Sequence, residues 1–399
     1  MSEVLFVWEL GGGYGHLGHM LPLARQLRAA GHRVTFALKD LARARDTITE
    51  PEFRLLQAPV WLPAPSGMPA PASYAEILLH FGFLEARYLR GLVEAWRALF
   101  TWVKPALVVF NHSPTALLAA GDARFAKATI EQGFVSPPHC VPLPPLRWWE
   151  PAPARLADSE RRALITVNEV RAEYALTPLA RLCDLLNVDE DFLCTFSELD
   201  HYPQRDPSAR YWGPMFNLDA SAPAIWPLGT AAKVFAYLTP DYPLFDTVLE
   251  LLAAAPCAVL VHAPGLTALQ RRRYETASLV TSAAPVNMRA VRQQAALVLC
   301  HGPGTGAAAL VAGIPLLLLP AQIEQTMWSR RVVELGAGIA VTPTARKSEL
   351  RQALHTLLDA SPQRQAARDF AAKHADFDSA AQLIAMAARC NELIAAARD

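Results

Sequence analysis

The chain has 399 residues, 52% of them apolar and 19% charged, and its 37 basic residues balance its 37 acidic ones. That length suits two domains, each able to bury a core. The charge balance excludes the broad basic surface of a nucleic-acid binder, and the apolar content excludes a mostly disordered chain.

Val4–Leu10 is an apolar run of β-forming residues, Gly11–Gly15 is a turn, and Leu21–Ala30 has helical spacing ended by Gly31. Arg33–Leu38 follows as a second strand, completing a β-α-β unit. An amphipathic stretch runs from Tyr74 to Val103 and stops at Pro105, ahead of the buried strand Leu107–Phe110. Pro59–Pro71 and Ser136–Pro153 are proline-rich loops carrying Trp61, Trp148 and Trp149, the kind of long loop that forms lids or binding walls. A second alternation starts near Lys233, with strands expected at Val234–Leu238, Ala258–His262, Leu279–Ser282, Leu297–Cys300 and Leu316–Leu319. Ser379–Ala397 is a strong helix former. The longest apolar stretch, 307–321, is broken by Gly313 and Pro315, so no membrane span is expected. The first ten residues show no secretory signal, and the 6 Cys form no CxxC pair, which points to reduced thiols in a cytoplasmic protein. No feature specifies an oligomeric state.

These elements predict an α/β architecture of two Rossmann-like domains facing across a ligand-binding cleft. The boundaries expected are 1–212 for the N-terminal domain, 213–228 for a linker, 229–375 for the C-terminal domain and 376–399 for a terminal helix.

Two glycine-rich turns carry chemistry. Gly13-Tyr14-Gly15-His16-Leu17-Gly18 satisfies GxGxxG, and Asp40 follows at the spacing of a ribose-binding acid, which keeps an NAD-dependent oxidoreductase open. His16 stands at the strand-to-helix turn, from which a neutral imidazole can take a proton from a substrate. The second turn, His301-Gly302-Pro303-Gly304-Thr305-Gly306, feeds a helical run, so its backbone N–H groups and helix N-terminus suit a diphosphate. His301 and the Thr305 hydroxyl add side-chain groups. Glu324-Gln325 follow the next strand with the acceptor and donor atoms that sugar hydroxyls need. No cluster has metal-ligand spacing, and no metal or other cofactor is expected.

These residues resemble the inverting, nucleotide-sugar-dependent glycosyltransferases of family 1, which have the GT-B fold and include bacterial natural-product and macrolide enzymes. Gly15-His16 followed by His32 resembles the N-terminal pattern, Tyr211–Pro214 the interdomain junction, and Cys300–Arg331 the donor signature. The resemblance implies a UDP- or dTDP-sugar donor, a small-molecule acceptor, and a terminal helix that crosses back to the N-terminal domain. His16 would be the base. Thr239, His301, Gly302, Gly304 and Thr305 would hold the diphosphate, Glu324 and Gln325 the sugar, and Val286 the nucleobase through its backbone. Phe81, Phe83, His112 and Trp148 are expected on an apolar acceptor wall, favouring a lipophilic or aromatic acceptor.

The sequence also departs from the family pattern. Ala308 aligns with a ribose-binding Glu, Pro285 replaces an aromatic residue, and Thr239-Pro240 replaces a serine-rich strand ending. The acid that orients the catalytic His is here Asn111. Either Glu9 or Asp122 supplies the missing carboxylate, or the acceptor is phenolic or acidic and needs only a weak base. Asn111 also keeps a non-catalytic auxiliary protein open, and an epimerase of the same fold would share the diphosphate site.

Overall fold

The computed structural model describes residues 1–12, 15–42, 44–63, 67–216, 222–229, 231–359 and 361–397. The chain divides into two units: Met1–Phe196, Tyr202–Met215 and Asp378–Asp399 form unit 1, while Ser197–His201 and Phe216–Phe377 form unit 2.

Unit 1 opens with β1 (Glu3–Trp8), α1 (Gly15–Ala29), β2 (Arg33–Leu38), the single turn α2 (Ala44–Thr47) and β3 (Arg54–Gln57). It continues through α3 (Tyr74–His80), α4 (Ala86–Val103), β4 (Leu107–Asn111), α5 (Pro114–Ala119), β5 (Ala126–Glu131), α6 (Leu156–Glu173) and β6 (Glu190–Leu193). All six strands pair in parallel in the order β3-β2-β1-β4-β5-β6. β1 and β4 are buried along their whole length, as parallel strands covered by helices on both faces must be.

Unit 2 contains β7 (Ala232–Tyr237), α7 (Phe245–Ala254), β8 (Cys257–His262), α8 (Ala268–Tyr274), β9 (Leu279–Ser282), α9 (Met288–Gln294) and β10 (Leu297–Cys300). α10 (Pro303–Leu310), β11 (Leu316–Leu318), α11 (Ile323–Glu334), β12 (Gly338–Ala340), α12 (Lys347–Leu358) and α13 (Pro362–Lys373) complete it. Its sheet runs β12-β11-β10-β7-β8-β9, the same order when counted from its own first strand. In both sheets the order therefore reverses at one central pair, β1/β4 and β7/β10. α/β sheets bind ligands at the carboxyl ends of such pairs.

The last helix, α14 (Ser379–Ala396), belongs to unit 1 and packs on α1. Asp378 caps it by accepting from the N–H groups of Ala380 and Ala381. Met386, Cys390, Leu393 and Ile394 join the same core cluster as Leu17, Leu21 and Leu27. Each fully buried side chain of this kind contributes about 1.5–3 kcal/mol. Among the described residues, no helix is long and apolar enough to cross a membrane.

The stretch expected to be continuous from Tyr74 to Val103 is two helices. The chain turns at Gly82, whose φ of +96° an L side chain rarely adopts, and Trp61 packs so closely there that a Cβ would lie 3.0 Å from its ring. Ser136–Pro153 is pinned to unit 1: Leu146 N–H donates to the Ala72 carbonyl at 2.8 Å, and Pro145 bridges to Ser73.

Gly306 in α10 gives a direct test of packing in unit 2. A Cβ there would overlap the ring edge of Trp328, lying 2.8 Å from Cζ3, and Trp328 is only 1% exposed. Helix propensity alone favours Gly306→Ala by about 1 kcal/mol, whereas forcing an atom into a filled core costs about 1–3 kcal/mol. The substitution is expected to lower the melting temperature in calorimetry. A rise would mean that the indole gives way freely.

Candidate active site

In unit 1, His16 lies in the first turn of α1. Gly13 and Tyr14 of the glycine motif fall outside the described residues. The half-buried His16 ring stacks on Trp8, with centroids 4.9 Å apart and planes at 22°. Its Nδ1 is 2.5 Å from Oδ1 of Asn111, the last residue of β4. The Asn111 amide is only 1% exposed, and its Nδ2 donates to the Ile130 carbonyl. That bond fixes which way the amide faces, so Oδ1 must accept and His16 Nδ1 must carry the proton. In the neutral ring the lone pair is then on Nε2. Nε2 is directed at Gly11, where a Cβ would come within 2.5 Å of it and 3.2 Å from His112 Nδ1. Gly11 also has a φ of +82°, so both space and backbone require glycine.

Neither alternative carboxylate replaces an aspartate here. Glu9 is buried and accepts from the N–H groups of Thr115 and Ala116 at the start of α5, while Asp122 pairs with Arg97 at 2.9 Å. Burial pushes the Glu9 pKa up to about 7, against the lowering effect of those bonds.

His112 is 9% exposed and has a φ of +43°, an uncommon conformation for a non-glycine residue. Its ring lies between those of His16 and Tyr74, at 6.2 and 6.0 Å. Burial, then the nearby His16 and Lys39, holds its pKa well below the usual histidine range, so the ring is neutral. Beside it, Tyr74, Phe110, Leu117 and Glu131 line a cavity of about 10 Å³, room for one water.

Of the residues expected on an acceptor wall, His112 also lines this cavity. Phe83 is fully buried in the core and offers no surface to an acceptor. Phe81 ends α3, and the half-buried Trp148 packs edge-on against Trp149 at 5.2 Å.

Unit 2 brings together most of the residues expected to hold a donor. His301 follows β10 and Thr239 follows β7, one on each side of the reversal in strand order. His301 Nδ1–H donates to the Leu319 carbonyl at 2.6 Å, and its Nε2 accepts from Thr239 N–H at 2.9 Å. Burial keeps the ring's pKa low, partly offset by the bond to Leu319. Both nitrogens are therefore engaged by protein. His301 joins three strand ends in this state, which corrects the expectation that it supplies a side-chain donor to a diphosphate.

Gly302 is the extended N-cap of α10, and Pro303 begins the helix, where its missing N–H costs nothing. Gly304 and Thr305 follow with N–H groups in the first turn, aligned with the positive end of the helix dipole. Gln325 lies against Gly302, leaving a Cβ there only 3.1 Å from its Cγ, and Gln325 Oε1 accepts from Ala321 N–H. Glu324 bonds the buried His201 through Oε1 at 3.1 Å, a partner that no sequence motif announces. At Val286 the parallel bridge to Ala222 uses the Pro285 carbonyl and Asn287 N–H, so the N–H and C=O of Val286 itself point the opposite way. Ala308 is buried in α10 and has no polar side chain to offer a ribose.

Residues 267–390 match the family model described as Erythromycin biosynthesis protein CIII-like, C-terminal domain. The chain is 26% identical to the PGL/p-HBAD biosynthesis glycosyltransferase of Mycobacterium tuberculosis, an alignment covering 96% of this chain and 93% of the relative. The solved glycotransferase of kitacinnamycin superposes with a TM-score of 0.71 at 19% identity, over 98% of this chain and 99% of that one. The Streptomyces sp. SF2575 glycosyltransferase complexed with thymidine diphosphate gives 0.63 at 17% identity, over 98% and 100%. The two doubly wound sheets give the chain the GT-B fold, and the family match and the relative named a glycosyltransferase make it similar to the glycosyltransferases of that fold.

Proposed function

We propose that this glycosyltransferase, a cytoplasmic enzyme, moves a sugar from a nucleoside-diphosphate donor to a hydroxyl of a small lipophilic acceptor, with inversion. The observation that carries this reading is His16, whose Nδ1 is fixed on Asn111 so that Nε2 is the basic nitrogen. His16 Nε2 takes the acceptor proton, and the acceptor oxygen forms its bond to the anomeric carbon. The bond from that carbon to the diphosphate breaks, and its electron pair leaves with the phosphate. Gly304 and Thr305 at the start of α10 receive the growing negative charge, so the scheme invokes no metal. Glu324 and Gln325 bind the sugar and the Val286 backbone binds the base. The thymidine diphosphate complexed with the SF2575 glycosyltransferase, a neighbour in fold, supports this class of donor.

An Asn carbonyl orients His16 but supplies no negative charge to stabilise an imidazolium. The corresponding change in a serine protease triad costs roughly 10⁴-fold. An acceptor that gives up its proton readily avoids much of that cost, so phenolic or acidic hydroxyls are the preferred acceptors. The test is transfer from UDP- and dTDP-sugars to a phenol and to a matched primary alcohol, by wild type and Asn111→Asp. Measurable phenol transfer by wild type is expected, with the substitution raising the alcohol rate more than the phenol rate. Equal wild-type rates on both acceptors would refute the preference, and no transfer from any donor would favour an auxiliary protein.

Calorimetry with nucleoside diphosphates tests the donor half. Thr305→Ala is expected to weaken binding by about 1 kcal/mol, the worth of one hydrogen bond, without altering the melting temperature. His301→Ala is expected to lower affinity and melting temperature together, because its ring holds the protein groups around the site. With Ala308 buried, dTDP and UDP should bind within about 100-fold of each other. A larger preference for UDP would reveal another group reading the ribose.

A further inference from the structure

Lys39 immediately follows β2, the strand that pairs with β1 beside the reversal in strand order. Its ammonium donates to the Gly11 carbonyl at 2.6 Å, and its own carbonyl accepts from Gln57 Nε2 at 3.0 Å. Gly11 is the residue against which both His16 Nε2 and His112 Nδ1 lie. Ordinary backbone dimensions then keep the ammonium within about 8 Å of His16 Nε2. The charges near that nitrogen are unusual for a general base. The group bonded to Nδ1 is a neutral amide, His112 is neutral, and Glu9 is engaged at α5. Asp40, next in sequence, pulls the Lys39 pKa upward, while burial pulls it down more strongly.

A cation in this position works in favour of an anion at the acceptor oxygen. We propose that Lys39 is a specificity-determining residue that lowers the pKa of the bound acceptor hydroxyl, so that this site selects phenols which react as phenolates. In the transfer step the phenolate oxygen bonds to the anomeric carbon, the bond from that carbon to the diphosphate breaks, and the electron pair leaves with the phosphate. The phenol proton has already passed to His16 or to water. The proposal rests on the acceptor half-site read above around His16.

p-Nitrophenol is a suitable probe, because its ionised form absorbs in the visible and its binding requires no donor. Its absorbance on wild type, Lys39→Met and Lys39→Arg would be titrated against pH, with dTDP binding as a check that each variant is folded. Wild type and Lys39→Arg are expected to ionise the bound phenol about tenfold more readily than Lys39→Met, the order of effect of one partly screened charge at this distance. In turnover, Lys39→Met should lower the ratio of kcat/KM for phenol over alcohol by a similar factor. Equal ionisation on wild type and Lys39→Met would overturn the proposal, as would failure of wild type to bind the phenol. Equal losses on phenol and alcohol would mean that Lys39 merely props the Gly11 turn, and would also overturn it. Absence of sugar transfer with the ionisation difference intact would instead count against the enzymatic reading and leave the Lys39 effect standing.

Discussion

One topological constraint places the chemistry in both units. Each sheet reverses its strand order at a single central pair, and the chain leaves those two strands in opposite directions along the sheet. That leaves a crevice at their carboxyl ends which no crossover helix covers. In each unit a histidine bonds across the reversal, with opposite origins. In unit 1 it comes from the helix after the first strand and reaches the fourth. In unit 2 it follows the fourth strand and reaches the second residue after the first. The consequence differs as well. His16 bonds Asn111 through Nδ1, with Nε2 lying against Gly11, and His301 bonds Leu319 and Thr239 through its two nitrogens. The first arrangement suits proton transfer. The second sets the shape of the turn that opens α10.

The surroundings of His16 show how a fold can keep an imidazole in place while changing its electrostatics. Asn111 preserves hydrogen-bond geometry because its amide is held by the Ile130 carbonyl and cannot rotate without losing that bond. The nearby buried carboxyl, Glu9, is committed to the N–H groups of α5, where it satisfies donors that the short helix leaves over. The aromatic run of Trp8, His16, His112 and Tyr74 supplies shape with little charge. Orientation and charge stabilisation, which a single aspartate would provide together, are separate properties here.

Much of this is legible in the sequence because parallel strands buried on both faces are written as short apolar runs. β2, β9 and β10 lie where those runs predict. The short strands β3, β6 and β12 are less legible. Arg54–Gln57 and Glu190–Leu193 are edge strands with polar residues, and Gly338–Ala340 has three residues, too few for a periodicity. The break between α3 and α4 depends on a positive φ at Gly82 and on Trp61 from a distant loop, neither of which alters the amphipathic pattern. The same holds for side-chain partners. That His301 Nε2 meets Thr239 N–H and that Glu324 meets His201 depends on contacts across 62 and 123 residues of chain. Phe83 lies in the core rather than on an acceptor wall, and an aromatic residue reads alike in sequence for either place.

The assignment of α14 to unit 1 bears on how the protein is made. A ribosome delivers β1 to β6 early, yet the helix that shares a core with α1 follows only after the whole of unit 2. Until then the apolar face formed by Leu17, Leu21 and Leu27 lacks the cover that Met386, Leu393 and Ile394 provide. Unit 2, almost continuous from Phe216 to Phe377, can close as it emerges. The helix that carries His16 is therefore covered on this face only after unit 2 has been made.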